Sequence, residues 1–270
     1  MSTILDEIVD LKRQEVEVRR KHITPAELAQ RAAQLSPTRD FCKALISIEP
    51  GTSVRVIAEV KQKSPSGGVF KDSYDPGRIA AQYAQFGASA ISCLTDMPFF
   101  GGRVDDMGRV RHAVDCPILR KDFLIDTYQI WESRYYGADA ILLIAEILPD
   151  ELLLEMMALA HELGMATLVE VHSLENLERV RPLLDQCDWK QCLLGINNRN
   201  LATLKSDLQH CIRLAGTLPE TNRVVGESAI STYEDLDTLA AAGIQIALVG
   251  ESLLRQDDPG TALHQLLGGS

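Results

Sequence analysis

The sequence lacks several features that would point to particular classes of protein. It carries 27 Lys and Arg against 38 Asp and Glu, a formal net charge of -11, whereas nucleic-acid binding depends on many Lys and Arg contacts to phosphate. The six cysteines include no C-x-x-C pair, and most lie in or beside apolar stretches, which is typical of reduced, packed thiols. The composition therefore argues against nucleic-acid binding, a disulfide framework and a cysteine-based metal site.

Long hydrophobic runs are also missing. No apolar run reaches the roughly 20 residues needed to span a bilayer, and the N-terminus alternates charged with apolar residues instead of resembling a signal peptide. We therefore expect a soluble, cytoplasmic protein with no membrane partner. At 270 residues, of which 46% are hydrophobic and 24% charged, the chain is long enough to form a large core.

The first fifty residues have a helical pattern. In the first segment the apolar residues recur close to the spacing of one helix face: Ile4, Leu5, Ile8, Leu11 and Val18. Thr24 and Pro25 begin a second short helix, and Ser36, Pro37 and Thr38 interrupt the pattern. We predict an N-terminal helical extension over residues 1–50 that packs on the rest of the chain.

From Val54 onward, β-rich runs alternate with stretches of helical length. The eight runs lie at 54–60, 89–94, 116–121, 139–144, 166–171, 192–197, 223–228 and 244–250. The helical stretches that follow them lie at 76–87, 103–114, 127–137, 149–163, 173–185, 203–215, 231–242 and 257–267. Because apolar strands separated by helices pair in parallel through long crossovers, this pattern predicts a parallel sheet covered by helices.

Eight such units in about 215 residues match the size of a (β/α)8 barrel. A doubly wound open sheet is the alternative, but no strand is followed by a G-x-G-x-x-G sequence that begins a helix. No linker interrupts the pattern. We predict an α/β protein whose residues 51–270 form a (β/α)8 TIM barrel, a single catalytic domain that follows the helical extension.

Several of the predicted strands end in charged or amide side chains. Active sites of these barrels lie at the carboxyl ends of the strands, and alternate side chains of a strand share a face. This alternation places three carboxylates, three cations and one amide on the lumen face: Glu59, Glu170, Glu227, Lys61, Lys121, Arg199 and Asn197. Singly, each is better explained by a structural ion pair or by contact with solvent. Together they favour an active site with mutually compensating charges, because proton transfer requires acids and bases with shifted pKa values.

Two groups of loops are candidate anion sites. The loop KQKSPSGG is suited to let backbone N–H groups and the hydroxyl of Ser64 or Ser66 approach an oxyanion, although it also fits an ordinary turn. The sequences VGES at 225–228 and VGESLL at 249–254 follow the last two strands, where barrels often bind phosphate. Two similar tight turns explain those endings equally well.

Two further positions have open interpretations. His172 shares the face of Glu170 but lies past the apolar run, so we expect a helix cap or a solvent-exposed position for it. Phe99 and Phe100 follow the second strand, where they would either line an aromatic substrate or pack on the surrounding helices.

The order of these segments resembles that of the indole-3-glycerol-phosphate synthases. The resemblance covers essentially the whole chain and lies in IAEVKQKSPSGG, CLTDMPFFGG, LRKDFLID, GADAILLI, LVEVH, GINNRNL, VGES and LVGESLL, with ILDEIVDLKRQEV at the N-terminus. It implies ring closure of 1-(2-carboxyphenylamino)-1-deoxyribulose 5-phosphate, with loss of carbon dioxide and water and without cofactor or metal. The product is indole-3-glycerol phosphate, an intermediate of tryptophan biosynthesis.

The resemblance also implies roles for matching positions. Lys121 resembles the general acid on the ribulose carbonyl, Glu170 its partner in proton removal and dehydration, and Lys61 the lysine that binds the substrate carboxylate and serves the departing hydroxyl. The residues that would orient the substrate and the lysines are Glu59, Asn197, Glu227 and Ser228. The remaining substrate contacts would be Ser64, Ser66, Phe100 beside the anthranilate ring, Arg199 near the carboxylate, and Gly250 and Ser252 near the phosphate.

One position departs from the family pattern. Ala229 follows Ser228, where the family usually has glycine. If the backbone there has positive φ, alanine costs on the order of 1 kcal/mol and displaces the N–H aimed at phosphate, so we expect a modest rise in the Michaelis constant rather than inactivity. Glu251, between Gly250 and Ser252, is expected to turn outward.

Two other functions compete with the synthase. A phosphoribosyl-anthranilate isomerase would use a Cys/Asp acid–base pair, and no such pair replaces Lys121 and Glu170 at the strand ends. A catalytically impaired phosphate-ester-binding barrel fits Ala229, but it would leave several buried charges unused, which is unfavourable. We therefore expect a monofunctional, monomeric enzyme that acts on a phosphorylated small molecule.

Overall fold

The computed structural model describes residues 4–46, 54–65, 67–71, 73–187, 189–200 and 205–269. Its strands are β1 (Arg55–Val60), β2 (Lys63–Ser64), β3 (Gly68–Val69), β4 (Ala90–Leu94), β5 (Ile118–Lys121), β6 (Ala140–Ile144), β7 (Ala166–Val171), β8 (Cys192–Asn197), β9 (Val224–Glu227) and β10 (Ile246–Val249). Eight of them close into a parallel barrel in the order β1-β10-β9-β8-β7-β6-β5-β4, while β2 and β3 form a small hairpin after β1.

Helices cover the outside of the barrel and precede it. They are α1 (Ile4–His22), α2 (Pro25–Ala32), α3 (Phe41–Leu45), α4 (Pro76–Gln85), α5 (Met97–Phe100), α6 (Asp106–Ala113), α7 (Thr127–Tyr135), α8 (Asp150–Glu162), α9 (Leu174–Leu184), α10 (Leu208–Ala215), α11 (Tyr233–Ala241), α12 (Glu251–Leu254) and α13 (Pro259–Leu266). Short 3-10 helices, Ala145–Ile147 and Trp189–Gln191, follow β6 and precede β8.

This architecture confirms the predicted (β/α)8 barrel with an N-terminal helical extension. The open sheet is excluded because β1 pairs with both β4 and β10. Predicted and observed bounds agree at both ends for β7 and β8. The helix predicted from residue 203 begins at Leu208, because the side chain of Asp207 accepts the N–H of Gln209 and caps the helix there.

Alternation along the strands sorts their side chains into two layers. The residues facing the lumen form an inner core that includes Ile57, Leu119, Leu168, Val225 and Leu248. The opposite faces pack against the surrounding helices in a larger cluster. Helix α3 contributes Phe41, Cys42 and Leu45 to the inner core and contacts the 3-10 helix that precedes β8, so it fills the amino-terminal end of the barrel. The lumen-facing charges lie at the opposite end of the barrel, where the strands reach their carboxyl ends.

A buried lysine attaches the N-terminal helix to the barrel. Lys12 Nζ lies 3.0 Å from Asp96 Oδ1 and 3.0 Å from Asp122 Oδ1, and its side chain is 1% exposed. Burial acts to lower the pKa of Lys12, but Asp122, Asp96 and Glu15 outweigh it and raise the pKa above its ordinary value. Burial likewise acts to raise the pKa of Asp122, yet Lys12 and Arg120 hold that pKa well below its usual range.

The same network continues beneath α7. Arg120 Nη2 lies 3.1 Å from Asp122 Oδ2 and 2.9 Å from Glu132 Oε2, and Arg19 of α1 lies 3.0 Å from the same oxygen of Glu132. Helix α1 is thus fixed at two points across the loops that follow β4 and β5. Since Asp122 directly follows Lys121, the network also fixes the end of β5.

The buried face of α1 differs from the predicted one. Its buried residues are Ile8, Lys12 and Val16, whereas Leu11 is 36% exposed and Val18 is 54% exposed. The helix itself is correctly predicted, but its orientation is determined by the carboxylates that Lys12 meets, and apolar spacing carries no information about them.

The cysteines and the helices bear on two expectations drawn from the composition. Four of the six cysteines are buried, as expected of packed thiols. Within the described ranges, no helix is long and apolar enough to cross a membrane.

Replacing Lys12 by methionine retains much of the side-chain volume but leaves Asp96 and Asp122 buried without this partner. We expect the free energy of unfolding to fall by about 3–5 kcal/mol, the usual effect of removing one member of a buried ion pair. Urea denaturation followed by circular dichroism measures the change.

The matched control is Arg13→Met at the next position, where Arg13 pairs with Asp10 and the two side chains are 67% and 69% exposed. This substitution should change the free energy of unfolding by less than about 1 kcal/mol. Equal unfolding midpoints for the two variants would contradict the anchoring role of Lys12.

Candidate active site

A cavity of about 400 Å³ opens at the carboxyl ends of the barrel strands. Its lining includes eleven of the thirteen residues that the sequence analysis selected: Glu59, Lys61, Phe100, Lys121, Glu170, Asn197, Arg199, Glu227, Ser228, Gly250 and Ser252. Ser64 is buried outside this lining, where its hydroxyl accepts the N–H of Gly67 at 3.0 Å inside the β2–β3 hairpin. Ser66 lies outside the described residues.

Lys121 and two carboxylates form the centre of the charged wall. Lys121 Nζ lies 3.4 Å from Glu170 Oε2 and 3.7 Å from Glu227 Oε2. Burial acts to lower the pKa of Lys121, but Glu170 and Glu227 outweigh it, so the pKa is raised and the side chain is an ammonium group. A buried ammonium group that faces the cavity is suited to donate a proton or a hydrogen bond to a ligand oxygen.

The two carboxylates beside Lys121 have pKa values that move in opposite directions. Burial acts to raise the pKa of Glu170, but the charges of Lys121 and His172 hold it below its ordinary value. Burial and repulsion from Glu170 raise the pKa of Glu227 well above its ordinary value. Glu227 therefore keeps its proton at pH values where Glu170 is ionised. Glu170 can then accept a proton, while the neutral Glu227 can donate a hydrogen bond.

Lys61 and Glu59 form a second pair at the end of β1. Lys61 Nζ donates to Glu59 Oε1 at 2.5 Å, and the side chains are 10% and 5% exposed. The ammonium group also lies 5.6 Å from the centroid of the Phe70 ring, a favourable position for a cation. Lys61 thus presents a partly neutralised positive charge to the cavity.

Two glycines make room for the buried carboxylates. A Cβ atom at Gly250 would lie 2.5 Å from Glu59 Oε1, and one at Gly195 would lie 2.3 Å from Glu227 Oε1. Any larger residue would displace the carboxylate. Gly195 was not selected from the sequence, since a glycine in a strand does not reveal which side chain fills the space beside it.

Arg199 departs from the predicted network of charges. Its Nη2 lies 3.0 Å from Glu251 Oε2, and Arg255 binds the same carboxylate at 2.8 Å. Glu251 lines the cavity, so the expectation that it turns outward is wrong. The carboxylate of Glu251, the first residue of α12, pairs instead with the two arginines beside the cavity, Arg199 and Arg255.

The loop after β9 has left-handed backbone at two successive residues, Ser228 with φ 64° and Ala229 with φ 59°. The Asn198 side chain donates to the carbonyl of Ser228 at 3.1 Å, and Ser252 Oγ donates to the carbonyl of Ile230 at 2.8 Å. These bonds fix the loop although neither left-handed residue is a glycine. The condition under which Ala229 was expected to be unfavourable is therefore met.

His172 is placed differently from the expectation. It lines the cavity and its side chain is only 9% exposed, with Nε2 3.3 Å from Glu170 Oε1 and Nδ1 3.2 Å from Glu146 Oε2. The expected helix-capping role falls instead to Ser173, whose side chain accepts the N–H of Asn176. Glu146 lies on the 3-10 helix after β6, and no local sequence signal relates it to His172.

An apolar wall lies opposite the charges. Phe100 lines the cavity, with its ring centroid 6.1 Å from that of Phe123, and its contact with an aromatic substrate stays a prediction. Helix α1 adds Ile4, Leu5 and Ile8 to the lining. Their apolar spacing was recognised in the sequence, but spacing alone does not place a helix over a barrel mouth.

Comparisons with known proteins agree on one family. The family model described as "Indole-3-glycerol phosphate synthase" matches residues 5–266. Proteins named indole-3-glycerol phosphate synthase from Rhodopirellula baltica and Magnetococcus marinus are 48% and 45% identical to this chain. The alignments cover 98% of this chain in both cases, and 99% and 98% of the respective relatives.

Solved structures support the fold. A 3-hexulose-6-phosphate synthase superposes with a TM-score of 0.60 at 14% identity, covering 79% of this chain and 98% of that one. The N-acetylmannosamine-6-phosphate 2-epimerase of Clostridium perfringens superposes with a TM-score of 0.58 at 16% identity, covering 81% and 93%. At such low identity these similarities indicate the barrel fold alone.

Replacing Ala229 by glycine should relieve the left-handed backbone conformation. We expect the free energy of unfolding to rise by up to about 1 kcal/mol, and the Michaelis constant for a phosphorylated substrate to fall a few-fold with little change in kcat. Steady-state kinetics and urea denaturation measure the two effects.

Ala33→Gly is the control, because Ala33 ends α2 with a right-handed φ of -64° and is exposed. Glycine should bring no gain in stability there. An Ala229→Gly enzyme with unchanged kinetics would refute the proposed strain at the phosphate loop.

Proposed function

The chain belongs to the indole-3-glycerol phosphate synthase family, and from this premise we propose which residues perform the steps of the reaction. The enzyme is a carbon–carbon lyase of tryptophan biosynthesis. It converts 1-(2-carboxyphenylamino)-1-deoxyribulose 5-phosphate into indole-3-glycerol phosphate, with release of carbon dioxide and water. The observation that carries the assignment of residues is the contact of Lys121 with Glu170 and Glu227 at the mouth of the barrel.

Lys121 acts as the general acid in ring closure. The ring carbon that bears the carboxylate attacks the ribulose carbonyl, and Lys121 donates a proton to the carbonyl oxygen as the carbon–carbon bond forms. Two observations support this role: the neighbouring carboxylates keep Lys121 protonated, and it lies in the cavity lining with Phe100 and Phe123. The apolar wall excludes water and so strengthens the interaction between the ammonium group and the developing negative charge.

Loss of carbon dioxide then restores the aromatic ring. The electrons of the breaking carbon–carbon bond return to the ring, so no external electron acceptor is required. Lys61 binds the substrate carboxylate before this step, and Arg199 belongs to the same region. The pairing of Lys61 with Glu59 supports this assignment, because it holds the lysine in place without fully neutralising it.

Dehydration completes the indole. Glu170, ionised and in contact with Lys121, removes a proton from the cyclised intermediate, while Lys61 donates a proton to the departing hydroxyl, which leaves as water. The lowered pKa of Glu170 leaves this carboxylate ionised, so that it can accept a proton, and its contact with Lys121 places it beside the reacting groups. Asn197, Glu227 and Ser228 orient the reacting groups around it.

The phosphate group of the substrate binds at the loops after β9 and β10. Ser228, Gly250 and Ser252 line this part of the cavity, and backbone N–H groups in tight loops are suited to bind phosphate. Ser66 belongs to this proposed site and lies outside the described residues. An anionic group that binds beside Glu251 would compete with it for Arg199 and Arg255.

We extend the proposal to the organisation of the protein. Residues 1–50 form the helical extension and residues 51–270 a single catalytic domain, which functions as a cytoplasmic monomer without a cofactor and without nucleic-acid partners. The alternative of a catalytically impaired phosphate-ester-binding barrel is not favoured, because both lysines and all three glutamates line the cavity.

Replacing Lys121 by alanine should lower kcat by roughly 10²–10⁴-fold, the contribution typical of a general acid. The assay mixes purified protein with 1-(2-carboxyphenylamino)-1-deoxyribulose 5-phosphate, in the presence of EDTA and without nucleotide, and follows indole fluorescence. The wild-type protein should turn over under these conditions.

Lys43→Ala is the matched control, because Lys43 is exposed on α3 at the opposite end of the barrel. It should retain wild-type kinetics. If Lys121→Ala turned over as fast as the wild type, the general acid would have to be another group. Saturable binding without turnover by the wild type would favour the impaired barrel.

A further inference from the structure

His172 takes no part in the steps proposed above, yet it is one of the most enclosed ionisable groups at the cavity. The two oxygens of Glu170 face two different basic groups: Oε2 lies 3.4 Å from Lys121 Nζ, and Oε1 lies 3.3 Å from His172 Nε2. The carboxylate is thus held between the lysine and the imidazole. A rotation of Glu170 away from Lys121 would break both contacts.

Glu146 fixes the imidazole from its other side. Glu146 Oε1 accepts the backbone N–H of His172 at 2.8 Å and the side-chain amide of Asn176 at 3.1 Å, while Oε2 lies 3.2 Å from His172 Nδ1. One carboxylate therefore contacts both the backbone and the ring of the same residue. This arrangement places the imidazole between Glu146 and Glu170, at ion-pair distance from both, although neither ring nitrogen has hydrogen-bond geometry to any residue that the structure describes.

We propose that His172, oriented by Glu146, is a positioning residue that binds Oε1 of Glu170 and keeps this carboxylate ionised, leaving Oε2 for proton transfer beside Lys121. This inference rests on the proposed role of Glu170 as the base. His172 itself contacts Glu170 rather than the reacting atoms, so its effect on the reaction is indirect.

The charges around His172 are consistent with a protonated imidazole. Burial acts to lower the pKa of His172, and Lys121 on β5 acts in the same direction. Glu146 and Glu170 outweigh both, so the pKa is raised above its ordinary value. His210 on α10 approaches from the remaining side, but its Nε2 lies 3.1 Å from the backbone carbonyl of His172 and not from the ring.

The sign of the pH effect follows from these contacts. The charge of His172 is present below its raised pKa and is lost as the pH rises through that value. While present, it lowers the pKa of Glu170. Removing the charge should raise the pKa of Glu170, and with it the pH below which activity is lost, by about one to three units.

The first test measures the pKa of His172 directly by NMR titration of the histidine Cε1–H resonances. The signal is assigned by its absence in His172→Gln. We expect a pKa above about 6.5 in the wild type and a decrease of about one unit or more in both Glu146→Gln and Glu170→Gln, since each substitution removes one of the facing negative charges. A pKa at or below the ordinary value, or one that Glu170→Gln leaves unchanged, would overturn the proposal.

The second test follows kcat and KM of His172→Gln from acid to neutral pH. We expect kcat to fall about ten- to a hundredfold with little change in KM, and the acid limb of kcat to move upward. Glu146→Gln should move the limb in the same direction, and the double variant should add little, because both substitutions act through one contact with Glu170. A wild-type profile in His172→Gln would also overturn the proposal.

His112→Gln is the matched control, since His112 is exposed on α6 and contacts only the carbonyl of Gly108 among the bonds described for it. Its kinetics should equal those of the wild type. If His172→Gln unfolds, the His172 resonance is assigned instead by through-bond NMR experiments on isotope-labelled wild-type protein, and the titrations of the wild type and of Glu170→Gln decide the question. Full activity in Glu170→Gln would instead disprove the catalytic role of Glu170, whatever the pKa of His172.

Discussion

Charged groups can be buried only when each has a partner, and the contact between Lys121 and Glu170 is the interaction on which the barrel mouth depends. Three consecutive charged residues lie at the end of β5, and their side chains need partners on both faces of the strand. Lys121 points into the cavity, whereas Arg120 and Asp122 point outward and are almost completely buried. The alternation of a strand thus links the charged groups that line the cavity to a second charged network outside the barrel, and α1 is attached to that second network.

The sequence supports much of this description because its main signals are local. Apolar runs, the spacing between them and the alternation of side chains are properties of short segments, and they predict the strands, the barrel and the lumen-facing charges. Seven of the eleven predicted residues that line the cavity were selected by this alternation, whereas Phe100, Ser228, Gly250 and Ser252 rest on loop position and on the family resemblance. Ser64 differs because a hydroxyl in a turn can bind its own backbone as readily as a ligand.

The features that were missed depend on contacts between distant segments. His172 lies past the end of an apolar run, and only the fold brings Glu146 beside it. The buried face of α1 follows from Asp96 and Asp122, and Arg199 pairs with Glu251, the first residue of α12. In each case a charged side chain selects its partner across the tertiary structure, and hydrophobic periodicity contains no information about that choice.

The attachment of α1 also has a consequence for biosynthesis. Lys12 is synthesised early, but its partner Asp96 lies 84 positions further along the chain, and Asp122 follows later still. During translation, the helix that supplies Ile4, Leu5 and Ile8 to the cavity therefore emerges from the ribosome well before its binding site on the barrel exists. This helix can therefore reach its native contacts only after the segments that carry Asp96 and Asp122 have been synthesised.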